Sequence, residues 1–356
     1  MDLVVLLGAF VVILLGAELF TNGIEWFGRK LNLAEGAVGS VLAAIGTALP
    51  ETLIPVIAIL FTSGAASREV GIGAILGAPF MLSTLAMFVT GIAVVWAARR
   101  RPTGDAMLVD TAVLGHDVRY FALAYAIAIG AAFLPADVAW LKWVVAVVLL
   151  GIYAWYVKGH FTADAKEDAD ELERLRFHPL DRGAHQDDPA VPRLRVVSVQ
   201  VVVALGMIVL GAAFFVDAVT RLANDLQVDS LLLALIVAPI ATELPETFNS
   251  VLWVRQGKDT LAMGNVTGAM VFQSTIPTVV ALVFASSAWT VDAASSIAFA
   301  SAGIAFLSMA LIFVPMVRHG TLHGRRLLIG APLYVAYLAL VVAVVTGVLG
   351  GASATH

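Results

Sequence analysis

Six residues read T-A-L-P-E-T at 47–52 and T-E-L-P-E-T at 242–247. Each copy places a carboxylate, Glu51 or Glu246, directly after a proline, and a threonine, Thr47 or Thr242, four residues before it. On a helix, positions i and i+4 share a face. Each hydroxyl is therefore expected beside its carboxylate, with Glu243 near the same face as Glu246. Proline lacks the backbone donor and releases the carbonyl four residues earlier. Pro50 and Pro245 would release Gly46 and Ala241, while Pro55 and Pro239 would release Glu51 and Leu235. Carboxylates, hydroxyls and unwound carbonyls are hard oxygen ligands of the kind Ca²⁺ takes. The expected ion-binding set is thus Glu51, Glu246, Thr47, Thr242 and Glu243, with the carbonyls of Gly46 and Ala241. Gln273 is a further amide in a later apolar run, and the metal itself falls to Glu51 and Glu246. Ser83, Thr84 and Asn265 either line a path or serve as hydrogen-bonding glue between helices.

Both copies sit in a chain that water would not dissolve. Of its 356 residues, 60% are hydrophobic and 13% charged, and the mean hydropathy is +0.93. Such a balance excludes an ordinary soluble enzyme or a nucleic-acid-binding protein. The absence of cysteine excludes disulfides, thiolate metal sites and cysteine catalysis. A carboxylate at the centre of a bilayer costs about 3 kcal/mol on insertion scales, so Glu51 and Glu246 are expected to have a task there.

The expected fold is an all-α integral membrane protein of ten transmembrane helices. Apolar runs long enough to span fall at about 3–21, 34–61, 69–97, 119–136, 138–157, 196–218, 229–254, 259–286, 293–316 and 327–349. With these spans, Arg68, Lys142 and Arg221 lie on one side and every other Lys or Arg on the other. Basic residues favour the cytoplasmic side, so both termini are expected outside the cell membrane. The polar segment 159–195, with His160, His178 and His185, is then a cytoplasmic linker. Its bland reading is a solvated connection, and its functional reading a regulatory or docking segment.

The chain also repeats itself. G-A-E-L-F at 16–20 answers G-A-A-F-F at 211–215, and G-A-I-L-G-A at 73–78 answers G-N-V-T-G-A at 264–269. Five spans separate each pair, an odd number, so the copies enter the membrane in opposite senses. Inverted repeats of this sort build many secondary transporters, with the substrate site where the copies meet. The expected organisation is a first five-helix repeat over 1–158 (core about 16–90), the linker 159–195, and a second repeat over 196–356 (core about 211–285).

At these motifs the sequence resembles the sodium/calcium exchanger membrane-region family of the calcium/cation antiporters. The resemblance rests on G46-T-A-L-P-E51, A241-T-E-L-P-E246, G73-A-I-L-G-A-P79 and G264-N-V-T-G-A-M270. It implies that Glu51 and Glu246 bind Ca²⁺ with Thr47 and Thr242, and that the first and sixth spans form the moving pair. Family serines that serve Na⁺ are replaced here by Ala48, Glu243, Ala78 and Ala269, and a further ligand position by Leu82. The implied activity is secondary antiport of Ca²⁺ or a similar divalent cation.

The driving ion is open at this stage. Three carboxylates sharing one dry cavity cannot all stay ionised, so protons that Ca²⁺ would expel are one choice of counter-ion and Na⁺ the other. A non-transporting relative is the next reading. A glutamate-based intramembrane hydrolase is the last, lacking an evident nucleophile or zinc spacing. No cofactor is expected, and the partners are inorganic cations and lipid, with no nucleic acid and no obligatory protein partner.

Overall fold

The computed structural model describes residues 2–30, 49–62, 64–162, 174–181, 192–226, 228–292 and 295–345. Helices dominate it: α1 (Asp2–Lys30), α2 (Leu49–Leu60), α3 (Ala65–Met81), α4 (Met87–Ala97), α5 (Thr111–Gly130), α6 (Leu141–Thr162) and α7 (Leu194–Leu226). They are followed by α8 (Ser230–Thr242), α9 (Leu244–Arg255), α10 (Asp259–Phe284), α11 (Ser296–His319), α12 (Gly324–Leu327) and α13 (Gly330–Val345). A π-helical turn, Leu82–Ala86, joins α3 to α4 without interrupting the rod. Aspartates start two of the helices. Asp110 accepts from the amides of Ala112 and Val113 at α5, and Asp229 does so from Leu231 and Leu232 at α8.

Among the described residues, eight helical segments are long and apolar enough to cross a membrane, and two shorter apolar helices, Glu51–Leu60 and Ser230–Pro239, accompany them. The two short ones fall in the expected spans 34–61 and 229–254, the segments that carry the L-P-E motifs. Large apolar side chains lie open along the outer faces: Val4 and Leu7 on α1, Val147 on α6, Val202 and Leu210 on α7. Continuous faces of this kind suit lipid and not water.

Between helices in lipid there is no hydrophobic drive, and close backbone approach takes its place. α1 and α7 pack together along their length. A methyl group on Gly16 would stand 2.8 Å from Ile208 Cγ1 and 3.1 Å from the Ala204 carbonyl. One on Gly211 would stand 2.7 Å from Ile13 Cγ1 and 3.2 Å from the Ala9 carbonyl. Gly16 and Gly211, Ile13 and Ile208, and Ala9 and Ala204 are repeat equivalents, so the contact is the same from either side. α3 meets α8 just as tightly. Methyls on Gly73 and Gly77 would each fall 2.2 Å from a carbonyl oxygen of α8, those of Leu231 and Leu235.

Polar contacts tie the loop ends. Arg101 grips Asp259 with both guanidinium nitrogens, and the Leu108 amide donates to the same carboxylate at 2.8 Å. Nearby, Ala106–Met107 (β1) pairs antiparallel with Leu322–His323 (β2). Part of the linker is docked on the helices through Leu175 and two amides. Asn22 and Gln200 hold it through the amides of Arg176 (3.0 Å) and Phe177 (2.8 Å), while Leu175 is buried with Trp26 and Val197.

Candidate functional site

The first motif opens α2, with Leu49, Pro50 and Glu51 as its first residues. Proline suits this place because the first turn of a helix has no use for its missing N–H, and a carboxylate there faces the positive end of the helix dipole. Glu51 is 6% exposed. It lines a narrow crevice with Ile54 of α2, Ala74 and Ala78 of α3, and Ala238, Pro239 and Thr242 of α8. Segments from both halves of the chain therefore contribute to one space. The Thr242 hydroxyl donates to the Ala238 carbonyl at 3.2 Å, which leaves its oxygen lone pairs for a cation. Three of the walls are alanines and offer no side-chain oxygen.

The second motif does the same at α9, where Leu244, Pro245 and Glu246 form the first turn. A single long helix over 229–254, with Thr242, Glu243 and Glu246 on one face, is not what forms. α8 stops at Thr242, Glu243 stands between the helices at φ −88° and ψ −3°, and α9 begins at Leu244. The physical reason is Pro245, which supplies no donor and crowds the preceding turn. Helical hydrogen bonds flank the break, as the Glu243 amide donates to the Pro239 carbonyl at 2.9 Å and the Thr247 amide to the Glu243 carbonyl at 3.0 Å.

Glu243 is 4% exposed but does not line the Glu51 crevice. Gln273 is buried on α10, also away from the crevice. Gly46 and Thr47 lie outside the described residues, as do the side chains of Ala241 and Glu246. Among the described residues, no three carboxylate or imidazole side chains are grouped to hold a metal ion. Of the expected carboxylates whose side chains are described, Glu51 lines the crevice.

Two features escape a sequence reading. The π-turn begins at Leu82, the repeat counterpart of Gln273, and holds Ser83 and Thr84 fully buried. Both hydroxyls donate to the Phe80 carbonyl, the Ser83 carbonyl accepts from Ser308 at 2.5 Å, and Thr84 backs onto Gly330, where a methyl would stand 2.0 Å from its carbonyl. No residue pattern announces a π-turn. The second is Asp117, a buried carboxyl on α5. It falls just ahead of the apolar run begun at 119, between His116 and Arg119, and reads there as loop.

Residues 1–160 and 196–346 match the profile of the sodium/calcium exchanger proteins. The chain is 24% identical over 248 residues to the inner membrane protein YrbG of Escherichia coli, covering 70% of this chain and 69% of that one. It is 23% identical over 256 residues to the uncharacterized membrane protein MJ0091 of Methanocaldococcus jannaschii, covering 71% and 72%. Its fold is similar to the crystal structure of the H⁺/Ca²⁺ exchanger CAX, with TM-score 0.68, 17% identity, and coverage of 98% of this chain and 85% of that one. It is also similar to the sodium-calcium exchanger NCX_Mj, with TM-score 0.55, 19% identity, and coverage of 95% and 99%. With most of its length matched by that profile, and at the low identity of its relatives, the chain is a divergent member of the sodium/calcium exchanger protein family.

Proposed function

We propose that this protein is a secondary antiporter that exchanges Ca²⁺, or a divalent cation of similar size, for H⁺ by alternating access. The observation that carries the reading is the crevice, in which Glu51 of one repeat and Thr242 of the other meet under a cover of small side chains. A desolvated carboxylate there is poised between two partners, a divalent cation and a proton. Alanines on three of the walls leave few side-chain oxygens for a second, monovalent cation site. Resemblance in fold to an H⁺/Ca²⁺ exchanger supports the same choice. A second reading keeps Na⁺ as the counter-ion, favoured by the family itself and by backbone carbonyls that alanines cannot remove.

In this proposal Glu51 and Glu246 hold the metal, with Thr47, Thr242 and the carbonyls of Gly46 and Ala241 completing its shell. Glu243 and Gln273 belong to the protonation and passage of the site. Ten membrane crossings in two inverted five-helix repeats (1–158 and 196–356) frame it, with both termini outside and 159–195 cytoplasmic. The symmetric Gly16 and Gly211 contacts between α1 and α7 support such a two-fold. The test is equilibrium binding of ⁴⁵Ca²⁺ to the purified protein. Saturable binding that Glu51→Gln abolishes supports the assignment, and binding unchanged in that variant contradicts it.

A further inference from the structure

Arg119 puts a charge on the lipid-facing side of its helix. On α5, Ala112, Arg119, Ala122, Leu123 and Ala126 are exposed, while Leu114, Phe121, Ala124 and Tyr125 are buried. The exposed positions recur at three, four and seven residues and so form one stripe. Because α5 is long and apolar enough to cross a membrane, that stripe faces lipid. Arg119 stands eight residues past the start of the helix, about 12 Å along it at 1.5 Å per residue. Among the described residues its guanidinium has no hydrogen-bond or ion-pair partner. A lone cation against hydrocarbon is costly, and an anion beside it removes much of that cost.

Beside Arg119 the surface opens into a cleft of about 330 Å³, walled by Thr111, Ala112, Gly115 and His116 of α5 and by Val317 of α11. No carboxylate lines it. The two acids nearest in sequence are engaged elsewhere: Asp110 accepts from the amides of Ala112 and Val113, and Asp117 is buried with Tyr156 and Thr267 at its two oxygens. One turn further along each helix the walls become apolar and exposed, with Leu123 on α5 and Val314 on α11. The cleft also lies level with the membrane surface. A methyl on Gly159 of α6 would stand 3.4 Å from the His116 ring, and the adjacent Lys158 lies over Trp155 at 5.5 Å. Tryptophan and basic side chains of this kind anchor helices at the membrane–water interface. α11 ends two residues past Val317, with Arg318 and His319 exposed in its last turn. At the same end of the bundle, Arg100 and Arg255 flank Trp96 at 5.5 Å and 5.7 Å.

We propose that the cleft between α5 and α11 binds the phosphate head group of an anionic phospholipid, with Arg119 as its charged ligand and the acyl chains lying along Leu123 and Val314. A guanidinium offers two parallel N–H donors to two phosphate oxygens, and basic pockets between spanning helices are places where anionic head groups dock. The apolar walls one turn deeper are what distinguish a lipid from a soluble phosphate, which has no chains to lay on them. Seated there, the lipid supplies the counter-charge that Arg119 lacks and bridges α5 to α11.

The test titrates the full chain, purified in a neutral detergent, with phosphatidylglycerol or phosphatidylcholine. Native mass spectrometry reads the retained lipid, and a melt reads the thermal midpoint. Phosphatidylglycerol should bind more tightly than phosphatidylcholine and raise the midpoint. Arg119→Gln should weaken phosphatidylglycerol binding about tenfold or more, the worth of one charge-assisted hydrogen bond, and should leave phosphatidylcholine binding as it was. Arg119→Lys should keep part of the preference. Ala112→Phe fills the cleft with Arg119 in place and should also lose the preference, so it serves if Arg119→Gln does not fold. Arg221→Gln, whose cation sits beside Asp217 on α7, should match wild type. Equal binding of the two lipids by wild type, or an undiminished preference in Arg119→Gln, overturns the proposal. The same rise in midpoint from inorganic phosphate or glycerol phosphate, lost in Arg119→Gln, would make the cleft a soluble-anion site and overturn the lipid assignment.

Discussion

The Leu235 carbonyl, released from its helix by Pro239, lies against Gly77 of the neighbouring repeat: a methyl on Gly77 would stand 2.2 Å from that oxygen and 2.7 Å from the proline ring. The freed carbonyl and the bare α-carbon belong to one contact, next to the crevice residue Ala78 in sequence and one turn from Pro239. Gly77→Ala must push α3 and α8 apart, at a cost of about 1–3 kcal/mol for overpacking. The thermal midpoint in detergent should fall and uptake should be lost. Gly206→Ala, where a methyl meets nothing within 4 Å, should leave both near wild type.

Arg101 and Asp259 form a buried ion pair that ties the α4–α5 connection to the start of α10. Removing one partner of such a pair costs about 3–5 kcal/mol because it strands the other charge. Arg101→Ala should therefore destabilise the protein strongly in a thermal melt. The double replacement Arg101→Met with Asp259→Leu should recover much of that loss.

Tyr125 Oη and Thr278 Oγ1 are buried and have no hydrogen-bond partner among the described residues. Replacing an unsatisfied polar atom with an apolar group of the same shape is close to neutral or stabilising. Tyr125→Phe and Thr278→Val should each hold or raise the thermal midpoint. A marked fall in either would reveal a polar partner that the hydroxyl serves.

Competition at Glu51 fixes the sign of a pH effect on binding. A proton on the carboxylate excludes the cation, so Ca²⁺ affinity should fall as the pH falls and rise as it rises. Titration calorimetry at two pH values should also register proton release on Ca²⁺ binding, through a heat that changes with the buffer. No buffer dependence would mean that the site carries no exchangeable proton.

Much of this was legible in the residues. The apolar runs, the paired T-x-L-P-E-T motifs and the glycines follow from chemistry that acts locally, and Gly16 and Gly211 could be matched before any contact was known. What escaped depends on backbone detail or on neighbours far along the chain. The break at Glu243 and the helix start at Leu244 follow from Pro245, but the same proline also permits a kink within one helix. The π-turn at Leu82 has no side-chain signature. The burial of Asp117 becomes intelligible once α6 and α10 bring Tyr156 and Thr267 to its two oxygens. Docking of 174–181 likewise needs Asn22 and Gln200, which are remote in sequence.

The most direct test of Ca²⁺/H⁺ exchange at Glu51 is ⁴⁵Ca²⁺ uptake into proteoliposomes under an imposed pH gradient or an imposed Na⁺ gradient, with Glu51→Gln alongside. Uptake driven by the pH gradient and absent in the variant is the predicted result. Uptake driven by Na⁺ alone, or equal uptake in Glu51→Gln, would contradict it.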